Sequence, residues 1–299
     1  MVVPVPVGRM VPMTDSEDLA HNRELWDVVN DQFAGADGLT LWRSPAIVWG
    51  LFATPESEVA ALGDVAGLDV VELGCGTAHV SAWLAQRGAR VVAVDLSAAQ
   101  LGSARVGQSE HGLRFGLVQA DAQAVPLADA CADLVVSEHG APAWCEPAAW
   151  IAEVARILRP GGRLVFLTNS PLSAMCVPAE GGPAGDRLLR GPDELHTIRW
   201  PGGGVEHHPG HGDWIRILTD HGFLIEGLRE LRAPSDRDSA GSAATFYEIA
   251  DLDWARTWPV EDLWSARLAG EPGSGAPGSD PHGSGDAGSG AQATVTTRS

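Results

Sequence analysis

The chain contains no lysine: all 20 of its basic residues are arginines. That rules out a Schiff-base lysine, a pyridoxal phosphate lysine and the lysine of a Walker A phosphate loop. The same bias toward Ala, Gly and Arg fits a GC-rich genome. Positive charge of any kind is scarce, with 20 basic against 39 acidic residues, a net charge of -19 and a pI near 4.7. A nucleic-acid surface is excluded on this ground, because phosphate contacts require clustered basic side chains, and an anionic membrane is equally unsuitable. The four cysteines, Cys75, Cys131, Cys145 and Cys176, include no CxxC pair and follow no secretory pattern. Reduced thiols and a cytoplasmic location are therefore expected. Long apolar runs are also missing, and the opening MVVPVPVGRMVP is too short and too broken by proline for a signal or a span.

What is present is an ordinary apolar content of 44% in 299 residues, enough for a substantial core. Residues 1–14 read as a disordered leader. Leu19, Leu25, Trp26, Val29 and Phe33 recur near helical spacing, which predicts a helix over about 15–33 capped by Asp15 or Ser16. A loop with Trp42, Arg43 and Trp49 follows, then a helix opened by Thr54-Pro55-Glu56, so that 15–66 is expected as a helical lid. From Leu68 short apolar runs alternate with helical segments: LDVVEL, ARVVAVD, LRFGLVQAD, DLVVSE and RLVFLTN as strands. This predicts an α/β fold, a Rossmann-like doubly wound sheet with helices on both faces, spanning 67–269. Within it, 170–210 is expected to be a substrate-covering insertion with a short helix around Asp186 to Arg190. Periodicity resumes with the helix GDWIRILTDHG and the strand FLIEGLREL. A further strand AATFYEIA and a Trp-rich final helix LDWARTWPVEDLWSARL are expected to finish the domain. Residues 270–299, rich in Gly, Ser, Pro and Asp, read as a disordered tail.

The chemistry concentrates in Glu72-Leu73-Gly74-Cys75-Gly76-Thr77, which ends a strand and opens a helix. Glycines there let the backbone approach a ligand. Cys75 is read as a small residue filling the turn and not as a nucleophile. Asp95 ends the next strand at a spacing that suits a carboxylate accepting from two ribose hydroxyls. A dinucleotide fingerprint would need a third glycine at position 79, which is His79, and Glu72 would repel a pyrophosphate. Glu72 suits a sulfonium and a free α-amino group, so the local chemistry prefers S-adenosylmethionine to NAD.

VVELGCGTA, VVAVDLS, QADAQAVPLADACADLVVSEHG and VARILRPGGRLVFLTNSP together resemble the ordered motifs of class I S-adenosylmethionine-dependent methyltransferases, over about Leu68 to Pro171. The resemblance implies a mostly parallel seven-stranded sheet and a cofactor site. Glu72, Gly74 and Gly76 would wrap the methionine part, Asp95 the ribose, Leu96 the adenine face, and Asp121 and Ala122 the adenine edge. Ser137 and Glu138 would face both methionine part and substrate. More loosely, NRELWDVVNDQF, HHPGHGDWIRILTDHGF and DWARTWPVEDLWSAR resemble a subgroup common in high-GC bacteria, in which the leading helix closes over the cofactor and Trp26 forms an aromatic wall. The implied activity is methyl transfer to an O, N or C atom of a small-molecule acceptor, yielding S-adenosylhomocysteine, by a monomer or homodimer. A cofactor-binding protein without methyl transfer and an NAD(P)-dependent oxidoreductase remain as alternatives.

His139 and His211 are candidate general bases for a hydroxyl or amine acceptor. His207, His208, His211 and Asp213 match no established metal-ligand spacing and are read as the lead-in to a helix lining the substrate cavity, so no metal is expected. Among the tryptophans, Trp83, Trp254, Trp258 and Trp264 are assigned to packing. Trp42, Trp49, Trp144 and Trp200 are assigned to the substrate cleft, together with Arg43, which either holds a carboxylate or lies on the surface.

Overall fold

The computed structural model describes residues 17–34, 41–42, 44, 46–201, 204–235 and 250–270. The expected leader, Arg43, the AATFYEIA strand apart from Ala250, and the tail beyond Gly270 lie outside the described residues. The seven-stranded sheet comprises β1 (Asp69–Leu73), β2 (Arg90–Asp95), β3 (Gly116–Gln119), β4 (Ala132–Glu138), β5 (Leu158–Asn169), β6 (Phe223–Leu231) and β7 (Glu261–Leu268), in spatial order β6-β7-β5-β4-β1-β2-β3. β3, β2, β1, β4 and β5 pair in parallel, and β7 runs antiparallel to both β5 and β6. The helices longer than a single turn are, among the described residues, α1 (Glu17–Ala34), α2 (His79–Gln86), α3 (Ala98–His111), α4 (Pro147–Ile157), α5 (Pro171–Cys176), α6 (His211–Asp220) and α7 (Leu252–Thr257). Among the described residues no helix is long and apolar enough to cross a membrane.

Alternation along the strands sends residues to opposite faces. Val71, Leu73, Val135, Leu164, Phe166 and Trp264 join Trp150 of α4 and Trp214 of α6 in one core. Val70, Val136, Val165, Leu167 and Leu263 join Trp83 of α2 in the other. The first core is an aromatic lattice, with Trp150 edge-on to Phe166 at 5.3 Å and Phe166 stacked on Trp264 at 6.1 Å. Geometry of this kind adds about 0.5–1.5 kcal/mol per pair beyond area burial.

The final Trp-rich segment is not one helix. Pro259 follows the short α7, and Glu261–Leu268 becomes the seventh strand, wedged between β5 and β6. Its first four residues are all buried, so the alternation that marks a half-exposed strand is lost and helical spacing of tryptophans misleads. Trp254 and Trp264 are packed as expected, but Trp258 is 48% exposed. The insertion also differs from expectation. Its helix is α5, capped by the Ser170 hydroxyl accepting from Ser173 N–H at 3.1 Å, whereas Asp186 to Arg190 is not helical. The helix expected after Thr54 is a single turn, Glu56–Val59, ended by Ala60 at φ +50 and preceded by a two-stranded ribbon, Val48–Trp49 with Thr54–Pro55.

α1 is fastened to the rest at both ends. Asp27 accepts from the Ser97 hydroxyl at 2.5 Å, and the Ser103 hydroxyl donates to Asn30 at 3.0 Å, which ties α1 to α3 and its cap. Toward the insertion, the Asn22 amide donates to Val205 C=O and accepts from Val205 N–H, both at 2.9 Å, and also reaches Trp144 C=O at 3.3 Å. Asp18 and Arg199 form an exposed bidentate pair that adds little by itself. Asn22 is 4% exposed, so its removal leaves both backbone groups of Val205 unpaired. Asn22→Ala is expected to lower unfolding free energy by about 2 kcal/mol, measured by denaturant titration, with the sheet signature in circular dichroism unchanged.

Candidate active site

The turn between β1 and α2 is shaped by backbone conformations that side chains resist. Gly74 lies at φ +71, and a Cβ there would stand 2.6 Å from Ala141 N. Gly140 meets it from the β4 side, where a Cβ would stand 2.3 Å from Gly74 O. Ser137, fully buried, locks this approach: its hydroxyl donates to Leu73 C=O at 2.5 Å and accepts from Ala141 N–H at 3.1 Å. Gly74 and Cys75 N–H both donate to Val94 C=O, at 2.9 and 3.0 Å. Burial, then the nearby Asp95 and Glu72, push the Cys75 thiol far above its usual range, which suits packing and not nucleophilic attack.

Asp95 closes β2 with one carboxylate oxygen accepting from Gly76 N–H at 2.7 Å and the other from Ser97 N–H at 2.8 Å. Burial raises its pKa to about 6 against those two hydrogen bonds. Glu72, 2% exposed, accepts from Ser81 N–H at 2.8 Å and from the Ser81 hydroxyl, and burial lifts its pKa to about 7. Gln100 Oε1 is buried without a partner, 3.6 Å from the place a Gly76 Cβ would occupy. Beyond β3, buried Asp121 accepts from Gln123 N–H at 2.9 Å, beside Ala122, and Leu96 is half-buried with its carbonyl held by the Gln119 amide.

At the end of β4, Glu138 accepts from Gly50 N–H at 3.0 Å and pairs with His79 Nε2 at 3.3 Å. Burial works to raise its pKa, but His79, then His139 and Gly50 N–H, outweigh that and hold it at about 2. His139 follows at φ +50, a left-handed backbone conformation just past the end of the strand. Its Nε2 pairs with Glu261, which also accepts from Leu51 N–H at 2.9 Å. Burial lowers the His139 pKa and Glu261 raises it further than burial lowers it. His211, the first residue of α6, pairs through Nε2 with Asp262 at 2.7 Å. Burial raises Asp262 to about 6.

The antiparallel β7 thus delivers two adjacent, fully buried carboxylates, Glu261 and Asp262, to the edge where the parallel strands end. Each one anchors one of the candidate histidines. Reading the sequence missed both acids because their segment was assigned to a helix. The available signal was a pair of acids in an otherwise Trp- and Leu-rich stretch just after Pro259.

The aromatic assignments divide. Trp26 and Trp144 meet edge to face at 5.1 Å where α1 passes the turn Ala141–Trp144. Trp42 is not in the cleft: it is wholly buried against α3, its indole N–H donating to Thr77 C=O at 3.2 Å. Trp49 is likewise core, 1% exposed, with its N–H on Glu56 at 2.7 Å. Trp200 packs within the insertion, beneath Arg190 at 4.8 Å, beside Leu195 and Ile198. Bulk explains the difference, since an indole near a helix–sheet junction gains more by burial than by facing a wet cleft. Of the remaining histidines of that cluster, His207 pairs through Nδ1 with His196 C=O at 2.6 Å, and His208 pairs with Glu206 at 2.7 Å.

A family described as "Methyltransferase domain" matches residues 71–166. The chain is 30% identical over 178 residues to an uncharacterized methyltransferase of Mycobacterium tuberculosis, covering 57% of this chain and 67% of that protein. It is 41% identical over 104 residues to a malonyl-[acyl-carrier protein] O-methyltransferase of Pectobacterium atrosepticum, covering 34% of this chain and 39% of that protein. The chain therefore spans about two fifths of that relative's length. Among solved structures, an S-adenosylmethionine-dependent methyltransferase from Mesorhizobium loti is 28% identical with a TM-score of 0.55, over 71% of this chain and 95% of that one. The fold is that of the Rossmann-like methyltransferases. The chain belongs to the class I S-adenosylmethionine-dependent methyltransferases.

Glu72 yields a pH signature for the ligand-free protein. Its folded pKa of about 7 stands above the ordinary 4.5, so between those values the native state binds the extra proton and stability falls as pH rises. Glu72→Gln removes this contribution. Its stability relative to the native sequence is expected to rise between about pH 4.5 and 7 and to level off above, by denaturation at a series of pH values.

Proposed function

We propose that the protein transfers a methyl group from S-adenosylmethionine to an O, N or C atom of a small-molecule acceptor. The observation that carries this reading is the fit of the β1–α2 turn to the cofactor. Gly74 and Gly140 bring the ends of β1 and β4 closer than a Cβ would allow and so shape the turn, Gln100 Oε1 is buried without a partner beside Gly76, and Glu72 and Asp95 flank the turn. Asp95 keeps free lone pairs on both oxygens for ribose hydroxyls, Asp121 and Ala122 N–H suit the adenine edge, and Leu96 its face. Glu72 suits the amino group of the methionine part, with Glu138 beyond it and Trp26 as a wall. Ser137 serves this site through the turn it locks.

When bound, the sulfonium supplies an already activated methyl, which moves in line to the acceptor lone pair as S-adenosylhomocysteine departs. The chain's part is alignment and exclusion of water, which α1 and the insertion support by closing on each other through Asn22. A neutral hydroxyl or amine acceptor must also lose a proton. Of the two candidate bases, His139 is favoured: Glu261 fixes Nε2, leaving Nδ1 to take the proton, and strengthens the base.

Calorimetry is expected to show binding of S-adenosylmethionine and S-adenosylhomocysteine and none of NAD, since His79 occupies the third glycine position and is held by Glu138. Binding of the cationic cofactor at pH 6 is expected to release protons from Glu72 and Asp95, seen as a dependence of heat on buffer ionisation enthalpy. Turnover is to be followed as S-adenosylhomocysteine formation against an acceptor panel. His139→Ala is expected to lower kcat by about 100-fold with cofactor affinity unchanged. Full turnover in both His139→Ala and His211→Ala rejects a histidine base, and absence of cofactor binding rejects the whole reading.

A further inference from the structure

Three neighbouring strands present an oxygen-bearing side chain on the same face at the edge where β7 begins. Asp262 of β7 is the register partner of Glu230 on β6 and of Thr168 on β5. His211 of α6 lies over this row, edge-on to Trp264 at 5.9 Å and 2.7 Å from Asp262. One ligand atom each from His211, Glu230 and Asp262 lies within 4.8 Å of the other two.

The His211–Asp262 pair does not account for this cluster. Like charges placed directly opposite on adjacent strands repel, and Glu230 and Asp262 are such a pair. Among the described residues no arginine forms an ion pair with either of them. Asp262 is fully buried, yet its Oδ1 has no partner, His211 being on Oδ2. Independently, Thr168 is 2% exposed and its hydroxyl, on the same face, has no partner either. Two buried oxygens without a donor beside two carboxylates and an imidazole call for a cation that can take several oxygen and nitrogen ligands at once.

We propose that His211, Glu230 and Asp262, with the Thr168 hydroxyl beside them, form a binding site for one divalent metal ion. The mixed set of one imidazole and two carboxylates selects a first-row ion such as Mn2+ or Zn2+ over Mg2+ or Ca2+, which take oxygen alone. Glu230 is exposed, so the site opens outward on that side and retains positions for water or an acceptor oxygen. This site goes beyond the methyl-transfer reading and does not depend on it. It gives His211 a role distinct from that of His139.

The test is titration of the metal-stripped full chain with Mn2+, followed by electron paramagnetic resonance, and with Zn2+ by calorimetry. One equivalent is expected to bind, with affinity lowered at least tenfold in Glu230→Gln and in Asp262→Asn. Glu206→Gln, which removes a carboxylate paired with His208 and outside the proposed ligand set, is expected to bind as the native sequence does. Because Asp262 is buried and its variant can fail to fold, exposed Glu230 is the deciding position, with the melting temperature of each variant measured alongside. No saturable binding of either ion, or binding unchanged in Glu230→Gln, overturns the proposal. Affinity for S-adenosylmethionine, measured separately, tells failure of this site from failure of the methyl-transfer reading.

Discussion

The backbone contact between Gly74 and Gly140 is the constraint on which the rest of the site depends. It brings the end of β1 against the turn after β4, closer than any side chain allows, and Ser137 holds it there. From that contact follow the direction of α2, the exposure of Gly76 N–H toward Asp95, and the left-handed exit that carries His139 toward β7. A methyl group at either glycine would push the two strands apart at the point where a ligand has to be enclosed.

Around that contact the sheet edge collects carboxylates, buried Glu72, Glu261 and Asp262 and half-buried Asp95 and Glu138, in a region with no lysine to neutralise them. The protein meets the cost in two ways. Glu138 and Glu261 are paired with imidazoles and backbone N–H groups, and Glu138 is held ionised. Burial pushes the pKa values of Glu72, Asp95 and Asp262 upward. An edge of this kind favours positively charged occupants, which fits a sulfonium cofactor. Carboxylates are thus used where other folds place a lysine against a phosphate.

The N-terminal elements are bonded to the rest of the fold near the same edge. Asn22 binds both backbone groups of Val205, Asp27 reaches the cap of α3, and the ribbon after Trp49 donates its Gly50 and Leu51 N–H groups to Glu138 and Glu261.

The sequence by itself determined the α/β class, the glycine turn, Asp95, and the preference for a sulfonium over a pyrophosphate. These rest on local patterns: apolar runs of strand length, glycines at a strand end, and a residue type at a fixed offset. Only the tertiary structure decided that Trp42 and Trp49 are core, because burial depends on what a loop packs against and not on its own composition. Likewise, only the tertiary structure made Glu261–Leu268 the seventh strand. A strand buried on both faces at its start carries no alternation, and its antiparallel insertion is a fact of sheet order. That insertion is what places Glu261 beside His139 and Asp262 beside His211, across 122 and 51 residues of chain. Long-range pairing of this kind leaves no trace in spacing, since neither partner needs a neighbour of any particular type.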